Sequence, residues 1–461
     1  MPSSMDTSNT FPSGNSSHAT FQDGLPSQCR PIAFQTFLPY ALVMCQCALL
    51  HPTFAHSNLA RLIRISLSPI NVIWSLTLPF RYCFIPLESS AGINLGLGLS
   101  AIYTAVKCLE WGFATGAYYK RPIATINRVQ RWEKVKEDEI FRKKQEDEPC
   151  GIFKLMTWTL LQLTSVRGLN FTWGPAAVAN NLSTAYLMKR FIRISVPLNI
   201  AIVFVLLTRD SPLKTPTSAL LSIGVPSFPG LKILAESIYS FSFGVMIACL
   251  FDTRFTFCAL ICTALHKIMS FLQFPEEILD LVNPLYLPPI FHSPQTSSSV
   301  AEFWAETWHT FLKRTFVVAG GKPLVWMAQR LGATTKFQRL AGLLGIFLAS
   351  AATHEYILLV MAQPPHSNPH TITSLPGSTI FFMLQPLGIL IEPSIIPHIP
   401  KRIGGGKLWT ILFLIATCYS FREQYLGEGR VVATLRPLPK WSLLYALSPL
   451  KEYVGFNTLY Q

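Results

Sequence analysis

Charge is what this sequence has least of. Only 13% of its 461 residues are Asp, Glu, Lys or Arg, roughly half the share of an average soluble domain, and that shortage excludes a water-solvated surface over most of the chain. Zinc-type Cys-x-x-Cys pairs are missing too. The ten cysteines are scattered, and Cys45, Cys47, Cys108, Cys249, Cys258, Cys262 and Cys418 sit within apolar runs. That spacing leads to the expectation of neither a metal site nor a disulfide framework. The first 30 residues, rich in Ser, Thr, Asn and Pro, lack a basic stretch ahead of a short apolar core. A cleaved signal peptide is therefore not expected, and the first apolar segment is expected to act as an uncleaved signal anchor. No internal repeat is evident, which disfavours transporter folds built from inverted repeats.

What is there is hydrophobicity. Half the residues are hydrophobic, and the mean hydropathy is +0.35. At roughly 20 mainly apolar residues per span, candidates fall at 31–54, 63–80, 92–117, 191–208, 232–251, 254–271, 337–363, 377–396 and 407–421. The expected fold is all-α: a polytopic membrane protein with about seven to nine transmembrane helices. Its organisation reads as a polar tail over residues 1–30 and one transmembrane domain over 31–461. Pro284, Pro288, Pro289 and Pro294 exclude a regular spanning helix between Asn283 and Ser299, because proline removes a backbone donor and clashes with the preceding turn.

The net charge of +14 is carried largely by Lys and Arg beside apolar segments, the pattern of cytosol-facing membrane loops. It indicates topology and a lipid surface as partner, not nucleic acid. A basic balance also favours an anionic cosubstrate such as an acyl thioester of CoA. The densely charged stretch Lys120–Glu148 reads as a cytosolic loop. Counting back through three spans puts the N-terminus in the lumen, and Arg61 and Arg64 then fall on the cytosolic side.

Three places carry chemistry. The first is His354-Glu355, inside the otherwise uncharged run from Leu340 to Gln363. An ionisable group at mid-depth costs roughly 2.5–3.5 kcal/mol for Asp, Lys or Arg, so this pair is expected to face a cavity or a partner. A neutral imidazole suits general-base work near neutral pH; the plainer reading is a histidine hydrogen-bonded between helices. Ser350 lies one turn earlier on the same face, among small residues that admit a substrate or a neighbouring helix.

The second is Glu302–Arg314, expected as an amphipathic interfacial helix with Phe303, Trp304, Trp308, Phe311 and Leu312 on one broad face. On that wheel His309 falls among Glu302, Glu306 and Lys313. Such a face is either simply solvated or lines a water-filled chamber. The third is the stretch from Arg167 through Asn170 to Trp173, which fits either a headgroup-level anchor or a grip on an acyl donor.

Together these motifs resemble those of the wax-synthase-like membrane-bound O-acyltransferases. Phe303-Trp304-(three residues)-Trp308-His309 resembles their Phe-Trp-(three residues)-Trp-His signature, Ala352-Thr353-His354-Glu355 their His-Glu helix, and Arg167-Gly168-(four residues)-Trp173 an upstream element. The order of the motifs agrees, and the similar region covers about residues 165–420. The resemblance implies helices around an acyltransferase chamber where acyl-CoA from the cytosol meets a small-molecule alcohol. No cofactor is implied as bound; acyl-CoA, acetyl-CoA in particular, would be cosubstrate.

By the same resemblance His354 would be the general base, and His309 would assist by stabilising the developing oxyanion. Trp304, Trp308, Ser350, Glu355, Arg167, Asn170 and Trp173 would bind substrate or line the chamber. The overall organisation is most similar to fungal secondary-metabolite members, which acetylate terpenoid or meroterpenoid hydroxyls, and the endoplasmic reticulum is the implied membrane. A long-chain wax ester or sterol ester synthase is the alternative within the class. A transporter with His354-Glu355 in its pathway is the alternative outside it; that reading requires ionisable partners at mid-depth, for which Glu110, Glu236 and Glu392 are the candidates.

Overall fold

The structure, a computed structural model, describes residues 29–85, 87–120, 142–147, 149–174, 183–361 and 376–426. The expected polar tail, apart from residues 29 and 30, lies outside the described residues, as do 121–141 of the charged loop and the last 35 residues from 427 to 461.

The chain is helical throughout the described residues apart from one short strand pair. Helix α1 spans Tyr40–Ala48, α2 Asn58–Arg81, α3 Leu87–Phe113 and α4 Ile152–Thr164. Next come α5, Thr184–Asp210, and α6, Leu231–Phe271. Helix α7 covers Lys322–Arg330, α8 Thr335–Met361, α9 Gly377–Ile395, α10 Gly406–Thr417 and α11 Tyr419–Leu426. Among the described residues six helices are long and apolar enough to cross a membrane: α2, most of α3, α5, α6, α8, and α9 with its extension to His398. This is the expected all-α polytopic membrane architecture. Interior prolines at 69, 79, 197, 386 and 393 do not end α2, α5 or α9, since a lipid-embedded backbone has no better partner than its own helix and its neighbours.

Four expected spans differ. Residues 232–251 and 254–271 form one 41-residue helix, α6. Nothing between them breaks it, and Asp252, which lies between the two expected ranges, is buried and pairs with Arg190 of α5 at 2.7 Å. Residues 407–421 divide into α10 and the start of α11. Residues 31–54 contain only the nine-residue α1, flanked by a 3-10 turn over Phe34–Phe37 and a short helical turn over Pro52–Ala55. Pro39 and Pro52 bound it, so the expected single-helix signal anchor is not formed.

The expectation of no disulfide is also overturned: Cys29 and Cys83 are bonded, with a Cα–Cα distance of 5.7 Å. Spacing gave no sign of it because the partners are 54 residues apart and meet through tertiary structure. Beside the bond, strand β1 (Arg30–Pro31) pairs in parallel with β2 (Tyr82–Cys83). The bond fixes the path of the N-terminal segment. Cys29 is held at the C-terminal end of α2, whereas Asn58 begins that helix, so residues 30–57 must run back along its length of about 36 Å. The segment therefore counts as a crossing although no helix within it could span alone. Gln46 of α1 anchors it midway: its Nε2 donates to Ser68 Oγ and to the carbonyls of Arg64 and Cys108, and Asn71 Nδ2 donates to its Oε1.

Two cores result. One joins α1, α3, α4 and the loop to Phe171; the other joins α5, α6, α8, α9 and α11 and holds the second half of the chain together. Close backbone approach fixes α8 in this core: a Cβ at Gly345 would collide with the carbonyl oxygen of Gly320, and one at Gly320 with that of Gly345.

If the basic stretch after α3 faces the cytosol, the α2–α3 connection carrying Cys83 faces the lumen, where disulfides persist. A membrane-impermeant maleimide applied to sealed microsomes should then leave Cys29 and Cys83 unlabelled. They should react only after reduction and permeabilisation. Labelling in intact vesicles treated with reductant would reverse this orientation.

Candidate active site

The segment 284–312 is shaped by its prolines. Pro284–Tyr286 and Pro294–Thr296 form single 3-10 turns, and the intervening chain folds against the residues that follow. His292 N–H donates to Thr307 O at 3.0 Å, and Thr310 N–H donates to Ile290 O at 3.3 Å. Helix starts at Val300–Glu302, where Ser299 Oγ accepts from Glu302 N–H and the Glu302 carboxylate accepts from Ser298 N–H and Oγ–H. Glu392 of α9 accepts from Val300 and Ala301 N–H, which fixes this turn to the core.

The expected amphipathic helix over Glu302–Arg314 is not formed. Phe303–Thr307 is a π-helical turn, and Trp308 leaves the helix with φ −73° and ψ 165°. Such turns are frequent at functional sites because the wider turn re-aims side chains. Pairing of Thr307 and Thr310 with the proline-rich strand removes the backbone groups that a helix would need. Glu306 and Lys313 remain exposed, but His309 turns inward, among the rings of Phe251, Phe291, Trp308 and Phe311 at centroid distances of 6.2, 6.0, 5.6 and 4.9 Å. Its Nδ1 is buried with no hydrogen-bond partner. Burial pushes its imidazole down to about 4, so it is neutral at physiological pH.

His354 lies on α8 one turn after the buried Ser350. Its ring stacks on Phe382 at 4.7 Å and 24° and meets Phe421 edge-on at 5.2 Å. Nδ1 is 2.8 Å from Tyr425 Oη, while Nε2 has no hydrogen bond among the described residues. Burial and the nearby Glu355 carboxylate push the Tyr425 phenol above its usual value, so it stays a neutral hydroxyl. Both histidines are largely buried yet keep part of their surface uncovered.

Aromatic contacts connect the two. Trp308 packs on His309 and on Trp304 (5.6 and 6.0 Å), and Trp304 lies 5.8 Å from Phe382, the ring on which His354 stacks. Trp304 Nε1–H donates to Gln385 Oε1 at 3.1 Å, which holds the indole against α9. His309, Trp308, Trp304, Phe382 and His354 thus form one run of ring contacts. Glu355 points elsewhere: it accepts from Thr379 N–H and Oγ1–H at the start of α9 and from Gln424 Nε2–H of α11.

Arg167, Asn170 and Trp173 form a second group away from His354. Arg167 Nη1–H donates to the carbonyls of Pro288 and Pro289 at 3.0 and 3.4 Å. Asn170 is 1% exposed and accepts from Ser165 Oγ–H. Trp173 carries the Lys107 ammonium 3.4 Å and the Arg314 guanidinium 4.6 Å from its ring centroid, an arrangement that favours cations over a π face. Arg314 pairs with Glu110 and donates to Trp173 O. This group grips the segment carrying His309 from both ends, at Pro288–Pro289 and at Arg314.

Residues 287–384 match the model of the membrane bound O-acyl transferase family, less than half of the chain. The matched part contains both histidines, both tryptophans, Ser350, Glu355 and Phe382. No curated protein matches the chain. Tyr425 and Phe421 lie beyond the matched part and carried no periodic or motif signal. The nearest hint was Arg422, a cation at the end of an apolar stretch. It is 1% exposed, pairs with Glu236 at 2.7 Å, and thereby seats α11.

A depressed histidine pKa links to stability with a definite sign. The unfolded His309 imidazole takes up a proton below about 6.5 and the folded one not until about 4, so acid favours unfolding across that window. The melting temperature in detergent should fall between pH 7 and 4, and less steeply for His309→Gln. Parallel profiles for the two proteins would contradict the buried, neutral placement.

Proposed function

We propose that this chain is an acyl-CoA-dependent membrane-bound O-acyltransferase. In this reading it moves an acetyl group from acetyl-CoA to a hydroxyl of a terpenoid or meroterpenoid in secondary-metabolite biosynthesis, in the endoplasmic reticulum membrane. One observation carries the class: His309 and His354 converge on one aromatic wall, and among the described residues each keeps a ring nitrogen without a hydrogen-bond partner. The family match over the same residues supports it. The two-carbon donor and the terpenoid acceptor rest on the resemblance of the motif set to fungal secondary-metabolite members.

The chemistry follows from the two nitrogens. His354 Nε2 takes the proton of the acceptor hydroxyl as its oxygen attacks the thioester carbonyl. A neutral His309 N–H donates to the carbonyl oxygen as it becomes an oxyanion. The tetrahedral intermediate collapses with cleavage of the C–S bond, and the imidazolium returns its proton to the CoA sulfur. Trp304 and Trp308 wall the reaction space, with Ser350 one turn below the base. Arg167, Asn170 and Trp173 support the His309 segment from behind, and Glu355 fixes α8 to α9 and α11.

A transport pathway through His354-Glu355 would want other ionisable groups facing them. Among the described residues, Glu110 is engaged by Lys107 and Arg314, Glu236 by Arg422, and Glu392 by backbone N–H groups. None meets His354.

Microsomes carrying the protein, given labelled acetyl-CoA or palmitoyl-CoA and a panel of terpenoid, sterol and fatty alcohols, should form ester from acetyl-CoA. His354→Ala should abolish it at unchanged expression, and His309→Ala should lower the rate about 100-fold or more. Ester from palmitoyl-CoA alone would replace acetylation by wax or sterol ester synthesis. Full activity of His354→Ala would remove its assignment as base.

A further inference from the structure

We infer that Tyr425 is the positioning residue that sets the tautomer of His354: its phenolic oxygen accepts Nδ1–H, which leaves the Nε2 lone pair free to take the proton of the acceptor hydroxyl. The inference deepens the proposed function and rests on the reading of His354 as base.

The geometry narrows the choice. A neutral imidazole carries its proton on one nitrogen, and the hydrogen bond at the other decides which. Among the described residues Nδ1 of His354 has a single polar partner, Tyr425 Oη at 2.8 Å, and Nε2 has none. A carboxylate commonly orients such a histidine, and one is adjacent in sequence, but Glu355 is fully occupied by Thr379 and Gln424. The hydroxyl is therefore the group that can hold the ring; the distance fits a hydrogen bond in either direction, and the one in which oxygen accepts is assigned because it alone leaves a lone pair on Nε2. Aromatic packing keeps the partners in register: Phe421 meets both rings, at 5.2 Å from His354 and 4.9 Å from Tyr425, and Phe382 covers the imidazole face.

Tyr425 is itself immobilised. It is 6% exposed, and three residues earlier Arg422 fastens α11 to α6 through Glu236 and Ser240 Oγ. Arg422 and Gln424 of α11, the latter through Glu355 of α8, thus hold the helix that carries this hydroxyl.

The proton bookkeeping is simple. The acceptor O–H proton passes to Nε2, the new O–C bond forms, the thioester C–S bond breaks, and the Nε2 proton passes to sulfur. Nδ1 keeps its proton throughout, and the Nδ1–H to Oη hydrogen bond shortens while the ring is cationic. No proton is transferred to Tyr425. A hydroxyl partner, unlike a carboxylate, stabilises the cation only modestly, which suits a base that must give its proton up again within the same turnover.

Tyr425→Phe removes the oxygen and keeps the ring. It should lower kcat at least about tenfold, leave KM for both substrates within about twofold, and displace the pH at which kcat reaches half its plateau. A purely structural tyrosine would leave that pH profile in place. Thermal unfolding in detergent, measured alongside, accounts for any loss of folded protein. Wild-type kcat and pH profile in Tyr425→Phe, with His354→Ala inactive, would overturn the role of Tyr425 alone. Retained activity in His354→Ala, or a wild-type protein that forms no ester, would overturn it together with the assignment of the base.

Discussion

Inside a hydrocarbon layer a carboxylate has no water to turn to, and the membrane-embedded carboxylates here are engaged instead in joining one segment to another. Glu110 ties α3 to Arg314, Asp252 ties α6 to Arg190 of α5, Glu236 ties α6 to Arg422 of α11, and Glu392 ties α9 to the turn at Val300. Glu355 ties α8 to α9 and α11. Each tie is worth more than its equivalent on a soluble surface, because the alternative is an unsatisfied charge. These joints decide where the helices stop relative to each other, and the site is built from the residues they bring together.

The same constraint explains why the two histidines differ from the polar groups around them. Gln46, Asn71 and Arg422 lie in the interior with partners on neighbouring helices. Among the described residues His309 Nδ1 and His354 Nε2 have none. Other buried atoms are unpaired as well, Trp111 Nε1 and Asp252 Oδ1 among them; the two histidines are set apart by the aromatic wall they share. Aromatic rings fill the rest of the wall, so the reacting groups meet in a setting of low dielectric where a single hydrogen bond counts for more than in water.

Much of this was legible in the sequence. Scarce charge and recurrent apolar runs gave the membrane class, and the prolines between 284 and 294 gave the break in helix that shapes the His309 segment. The His354-Glu355 pair stood out because it sits in an uncharged run. Arg167 and Trp173, grouped with the site on motif grounds, contact the segment that carries His309. The wheel drawn over Glu302–Arg314 misplaced His309, since it assumed 100° per residue through a stretch where a π turn and an extended residue interrupt the period.

The sequence by itself determined what depends on local composition: the solvent the chain requires, where helices run, and which ionisable residues are too costly to be incidental. Only the tertiary structure decided the rest. The Cys29–Cys83 bond, the crossing made by residues 30–57, the inward turn of His309 and the pairing of His354 with Tyr425, 71 residues downstream, are contacts between distant segments. Helical periodicity reports which face a residue occupies and carries no record of what the facing helix presents.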